Sequence, residues 1–166
     1  MKLLISALGT ALLALGFNPA AHALDVLSTT GSGAVGDCQP AVAGGDAFIR
    51  RRPLAVINEG SQTQFAACAY TTEEVSINVV GFNTKLTNIS AVPASVTCTA
   101  VVGEESQSAQ YFVKSIDLAA GATGTLAWSA ADNGGLLFAK SVAISCALPP
   151  FVGLNRNRVT TLISTL

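Results

Sequence analysis

The ten residues Ser141-Val142-Ala143-Ile144-Ser145-Cys146-Ala147-Leu148-Pro149-Pro150 decide the fold class. Val142, Ile144 and Cys146 recur at period two, so they share one face of an extended segment. Small residues fill the positions between them. Proline cannot donate to a β-ladder, so Pro149-Pro150 ends the strand. Ser95–Val102 repeats the pattern, with Val96, Cys98, Ala100 and Val102 on one face, and is its expected partner.

Other strands are expected at short intervals on either side. They are Leu54–Asn58, Thr63–Thr71, Val75–Phe82, Ala109–Leu118, Gly124–Ser129 and Val159–Ser164. Phe65 and Cys68 cannot share a face at strict period two, which predicts a bulge or an early start there. In Ala109–Leu118 the core face is read as Phe112, Lys114, Ile116 and Leu118, with Lys114 near an end. Asn83–Pro93 reads as a polar connector and Ala130–Gly135 as a turn. The Gly-, Ser- and Thr-rich stretch 24–45 reads as an extended leg with a short strand near Asp25–Ser28. No segment after the N-terminal apolar run has helical amphipathicity, and no fixed-period repeat emerges. The expected fold is all-β, an antiparallel β-sandwich of about eight strands, immunoglobulin-like or a similar Greek key, in one domain over 46–166.

The first 23 residues are expected to be removed. Lys2 is followed by the apolar run Leu3–Phe17 and by Ala21-His22-Ala23, the three-part pattern of a secretory leader. Cleavage between Ala23 and Leu24 leaves 143 residues with eight Lys and Arg against ten Asp and Glu. The run is short for a membrane span, and no later one is long enough. No cysteine follows it before Cys38, so a lipid anchor is not expected. The expected location is secreted or periplasmic. A charge this close to neutral does not call for nucleic acid. Charged residues are 11% of the chain, so the surface must be mostly Ser, Thr, Asn, Gln and Gly.

Four cysteines in an exported chain read as two disulfides. Cys98 and Cys146 sit on the apolar faces of two strands that are expected to neighbour or face each other. That favours Cys98–Cys146 with Cys38–Cys68, and leaves Cys68–Cys98 with Cys38–Cys146 as the alternative.

His22 is the chain's one histidine, so the mature protein contains none. That removes the usual base of a serine or cysteine hydrolase and the commonest zinc ligand. No catalytic residue, cofactor or metal ligand is assigned. The doublets Glu73-Glu74 and Glu104-Glu105 offer carboxylates for a glycoside hydrolase only if tertiary structure brings one from each together. They lack the spacing of a calcium loop. Arg50-Arg51-Arg52 is the basic cluster, read as a solvated turn before Pro53, with an anionic glycan, lipid or nucleic acid as the functional alternative. Trp128 is read as core. With Tyr70 and Tyr111 exposed beside it, it would suit sugar stacking. Asn88-Ile89-Ser90 matches a glycosylation acceptor.

From Cys38 onward the chain resembles a group of small exported proteins of Gram-negative bacteria. The likeness rests on Cys38, Ile57-Asn58, Cys68, Cys98 and the late Ser145-Cys146-Ala147-Leu148-Pro149-Pro150. It departs at Ala67 and Ala69, where the group carries a Cys-Pro. The resemblance implies a secreted, disulfide-bonded β fold and no activity. The leading functional expectation is a non-enzymatic binding or surface-structural protein, with a cell-envelope component or glycan as partner. The runner-up is a fimbria-like subunit that assembles by strand donation from Leu24–Asp37.

Overall fold

The computed structural model describes residues 24–42, 47–70, 78–103, 109–138 and 141–165. Eleven strands and two helical turns follow in chain order among the described residues: β1 (Leu24–Gly33), α1 (Ala34–Asp37), β2 (Cys38–Pro40), β3 (Ile49–Arg52), β4 (Ala55–Asn58), β5 (Gln64–Tyr70), β6 (Asn78–Asn88), β7 (Ala94–Val102), β8 (Gln110–Leu118), β9 (Thr123–Ser129), a 3-10 turn (Ala130–Asn133), β10 (Val142–Leu148) and β11 (Val152–Thr165). They form an antiparallel β-sandwich. One sheet has the order β3-β4-β11-β6-β9, with β1 also paired to β11; the other is β2-β5-β10-β7-β8.

The period-two reading explains the second sheet. Burial alternates without interruption along β10, with Val142, Ile144, Cys146 and Leu148 buried. β10 lies between β5 and β7, with Cys146 opposite Cys98 and Ile144 opposite Cys68. β7 buries Val96, Cys98, Ala100 and Val102. β5 is regular, contrary to the bulge expected from its sequence. Ala66, Cys68 and Tyr70 point inward, and Phe65 is left on the outer face.

The first sheet departs further from expectation. The stretch read as a connector continues β6 to Asn88, and β11 starts seven residues before the expected Val159. In both strands the core face carries polar residues. Thr84, Asn88 and Asn157 are fully buried. The Thr84 hydroxyl donates to Asn157 Oδ1 at 2.9 Å, and Asn157 Nδ2 donates to Cys38 Sγ. Buried polar groups with partners do not break a strand, but they hide its apolar alternation. β11 also carries an irregularity at Asn155, where Leu154 faces Leu86 and Arg156 faces Lys85. The extra residue resets the phase of everything after it. β1 is a full ten-residue strand along β11, from Leu24 opposite Thr165 to Gly33 opposite Arg156.

Between the sheets, Phe82 stacks on Trp128 with centroids 5.3 Å apart and meets the edge of Phe138 at 5.1 Å. Trp128 Nε1 donates to the Phe112 carbonyl at 3.0 Å, so its polar edge is satisfied. Each large side chain buried here contributes about 1.5–3 kcal/mol. Gly124 lets the sheets close beside them: a Cβ there would lie 2.6 Å from Ile116 Cδ1 and 2.7 Å from Leu118 Cδ2. Lys114 lies on the inward side of β8, in mid-strand rather than near an end. It escapes through the open side of the sandwich, where Nζ donates to the Ala127 carbonyl at 2.7 Å and pairs with Asp132 at 2.8 Å.

Candidate functional site

The two disulfides are Cys38–Cys68 and Cys98–Cys146. Each joins directly opposed residues on neighbouring strands of the second sheet, and all four sulfurs are buried. The first ties the N-terminal segment to β5 and the second ties the two central strands together. Ala23 and the rest of 1–23 lie outside the described residues, as do Glu73, Glu74, Glu104 and Glu105. Leu24 opens β1.

Arg50, Arg51 and Arg52 do not form a turn. They lie in β3, an edge strand joined to β4 through Pro53-Leu54, and Arg52 pairs with Glu59. Trp128 and Tyr70 are core residues, and Tyr111 is exposed alone on the outer face of the second sheet. Burial pushes the Tyr70 phenol above its ordinary range, and the nearby Asp37 carboxylate adds to this. Burial also raises Asp37, which accepts a hydrogen bond from Ser32. Hydrogen bonds from Lys114 and the Ser129 backbone hold Asp132 below the usual carboxylate range. Among the described residues no three His, Cys, Asp or Glu side chains converge as metal ligands.

Two asparagines build one end of the sandwich. Asn58 closes β4 and Asn88 closes β6, thirty residues later. Each is fully buried, each turns the chain into the other sheet, and each is followed ten residues on by a disulfide cysteine. Asn58 Nδ2 donates to the Gln62 and Leu148 carbonyls at 2.7 and 2.8 Å. Asn88 Nδ2 donates to the Val92, Leu118 and Ala119 carbonyls at 2.8, 3.2 and 3.1 Å. Their Oδ1 atoms accept from the backbone two residues on, Gly60 and Ser90. Asn88 is therefore a sealed structural amide, and the folded protein leaves no free Nδ2 there to carry a glycan.

The turn Pro149-Pro150-Phe151-Val152 is held between these two corners. Val152 N donates to the Pro149 carbonyl, Phe151 N to the Asn58 carbonyl at 2.7 Å, and Ile89 N to the Phe151 carbonyl at 2.9 Å. Phe151 has φ +60°. It is the one non-glycine at positive φ among the described residues, at a turn position that glycine or asparagine fills without strain. The residue is 47% exposed. Beside it opens a cleft of about 780 Å³ lined by Ile89, Val92, Pro93, Pro149, Pro150 and neighbouring small residues. Ser90 is polar, but its Oγ is already engaged with Asn88 Oδ1 and the Val92 carbonyl. The cleft is thus mostly apolar, with the exposed Ser95 as its other polar residue. The double proline was legible as a stop signal; its role as a cleft wall depends on Ile89 and Val92, brought in from a loop sixty residues away.

A second feature lies on the outer face of the first sheet. Lys85, Arg156 and Arg158 stand together there, opposite one another in register or two residues apart on β11. They come from separate strands, which is why no charge run marks them in the sequence.

No protein-family model and no curated protein matches the chain. Among solved structures, it is similar to a pilus subunit described under "Bacillus endospore appendages form a novel family of disulfide-linked pili". That match has 10% identity and a TM-score of 0.37 over 100% of both chains. It is also similar to the family 11 carbohydrate-binding module of Clostridium thermocellum, solved with a β-1,3-1,4-mixed-linked tetrasaccharide. There the identity is 10% and the TM-score 0.39, over 90% of this chain and 93% of that one.

Proposed function

We propose that this is an exported, non-enzymatic binding protein whose contact site is the apolar cleft at the Pro149–Val152 end of the sandwich. The observation that carries this reading is Phe151. A non-glycine residue held at positive φ costs about 1–3 kcal/mol, and such strain clusters at binding sites. Nearly half of the residue also stays in water, where burial would have stabilised the fold. Neither cost serves the core. Both present a fixed aromatic edge beside a cleft of ligand-binding size. Proline and aliphatic walls, with Ser95 as their one uncommitted hydroxyl, suit an apolar segment of an envelope partner better than a hydroxyl-rich sugar. Two disulfides and the leader-like N-terminus support export.

The test separates strain from binding. Phe151→Asn should keep or raise the melting temperature, because asparagine tolerates this backbone region. Val92→Asp should leave melting nearly unchanged. Both should lose a partner that the parent protein captures from envelope extract by cross-linking. A partner captured equally by all three proteins would place the contact elsewhere. A lower melting temperature for Phe151→Asn would make the ring a packing residue.

A second reading, a surface-fibre subunit assembling by strand donation, is favoured by one observation on β1. It makes a ten-residue ladder with β11, yet none of its residues from Val26 to Gly33 is buried. Such a strand is held mainly by backbone hydrogen bonds, with two threonine hydroxyl contacts added, and can be exchanged for a neighbour's at little cost to the core.

A further inference from the structure

The outer face of the first sheet carries a cationic groove that neither disulfide, cleft nor core explains. Arg156 is directly opposite Lys85, and Lys85 opposite Thr125; Arg158 is opposite Asn83. The irregularity at Asn155 turns Arg156 and Arg158 outward. Without it, the inward Leu154 would put Arg156 on the core face. Two adjoining hollows share Lys85 and Arg156. One, of about 340 Å³, is lined by Asn83, Lys85, Thr125, Arg156 and Arg158. The other, of about 380 Å³, runs past Asn155 to β1 and Pro53-Leu54.

β1 is shaped to this groove. Gly31 faces Arg158 and Gly33 faces Arg156. A Cβ on Gly31 would lie 3.2 Å from Arg158 Cγ, so glycine lets the arginine stem rest against the strand. Among the described residues the ion pairs are Arg52–Glu59 and Lys114–Asp132, so these three cations have no carboxylate partner there. Of the described acidic side chains, Asp37 is bonded to Ser32, and Asp117 belongs to β8 in the other sheet. Arg156 and Arg158 stand about 7 Å apart along β11, Lys85 lies across from Arg156, and Asn83 and Thr125 flank them on the neighbouring strands, so cations and neutral hydrogen-bonding groups share one face.

We propose that this groove binds a linear, carboxylate-bearing polysaccharide. The guanidinium and ammonium groups would take the carboxylates, and Asn83, Thr125 and Asn155 the hydroxyls. Asn155 Oδ1 already accepts from Thr87 at 2.7 Å, which leaves its Nδ2 as the group available to donate. No aromatic side chain lines either hollow to stack a nucleobase. A polyanion recognised only by charge is therefore the less favoured occupant.

The experiment is isothermal titration of the full mature protein with polygalacturonate, a neutral β-glucan, oligothymidylate and phosphatidylglycerol vesicles. Polygalacturonate should bind, weakening as salt is raised, and the neutral glucan should not. Each of Lys85→Gln, Arg156→Gln and Arg158→Gln should weaken binding by up to about fivefold, the range of an exposed charged contact. The triple variant should abolish binding with its melting temperature unchanged. Arg50→Gln with Arg51→Gln should leave binding intact, and so should Phe151→Asn, which keeps this proposal independent of the cleft. Full binding by the triple variant overturns the site. Tighter binding of oligothymidylate or of vesicles than of polygalacturonate overturns the sugar assignment.

Discussion

At the scale of single residues, the end of the molecule depends on two amides. Asn88 is 0% exposed and its Nδ2 serves three carbonyls from two chain segments. Removing it leaves buried acceptors without donors, which costs more than the loss of ordinary hydrogen bonds. Asn88→Ala should therefore lower the unfolding free energy by about 2–4 kcal/mol. Asn58→Ala, with two carbonyls orphaned, should come next. Ser90→Ala, at a partly exposed position, should cost about 1 kcal/mol or less. Urea denaturation of the three variants gives the order directly. A loss below about 0.5 kcal/mol for Asn88→Ala would mean that water replaces the amide and the corner is not sealed. The same geometry predicts that a glycan on Asn88 blocks folding, so correctly folded protein from a glycosylating host should carry none there.

At the scale of elements, legibility followed chemistry. β7 and β10 were readable because Val, Ile, Ala and half-cystine fill their core faces. β6 and the first half of β11 were not, because Thr84, Asn88 and Asn157 occupy core positions and look like loop residues until their partners are known. The irregularity at Asn155 then shifted the period, so the outward arginines of β11 could not be assigned a face. The cleft was half legible: Pro149-Pro150 marked the turn, but nothing local announced positive φ at Phe151. β1 carries too many small polar residues for any periodicity, and its strand character comes wholly from β11. That dependence makes it the element to test for exchange. Thr29 and Thr160 are directly opposed, with hydroxyls 3.2 Å apart. Thr29→Cys with Thr160→Cys should lock β1 to its own β11. If the chain assembles by strand donation, the parent protein refolded at high concentration should form ladders on sedimentation, and the locked variant should stay monomeric. A parent that refolds quantitatively to monomer sinks that reading.

At the scale of the whole molecule, the two disulfides divide the labour. Both lie within one sheet, so neither holds the sheets together; the contacts of Phe82 with Tyr70, of Phe138 with Phe112, and of Trp128 with the Phe112 carbonyl do that. Cys98–Cys146 links central strands that are buried and flanked on both sides. Cys38–Cys68 links the short edge strand β2, and through α1 it fixes the β1 segment that borders the cationic groove. Their sequence separations are 48 and 30, so chain entropy alone would make their contributions nearly equal, at about 3–4 kcal/mol each. Topology predicts that the consequences differ in place. Cys38→Ala with Cys68→Ala should speed amide exchange first in 24–40, leave β7 and β10 protected, and weaken polygalacturonate binding through the loosened β1. Cys98→Ala with Cys146→Ala should lower protection across both sheets together, because the opening that exposes β10 exposes the whole core. Hydrogen exchange read by mass spectrometry resolves the two patterns. Uniform loss in both variants would mean that the N-terminal segment unfolds only with the core. β1 could not then be the exchangeable strand of a fibre, and the groove would have a rigid wall on both sides.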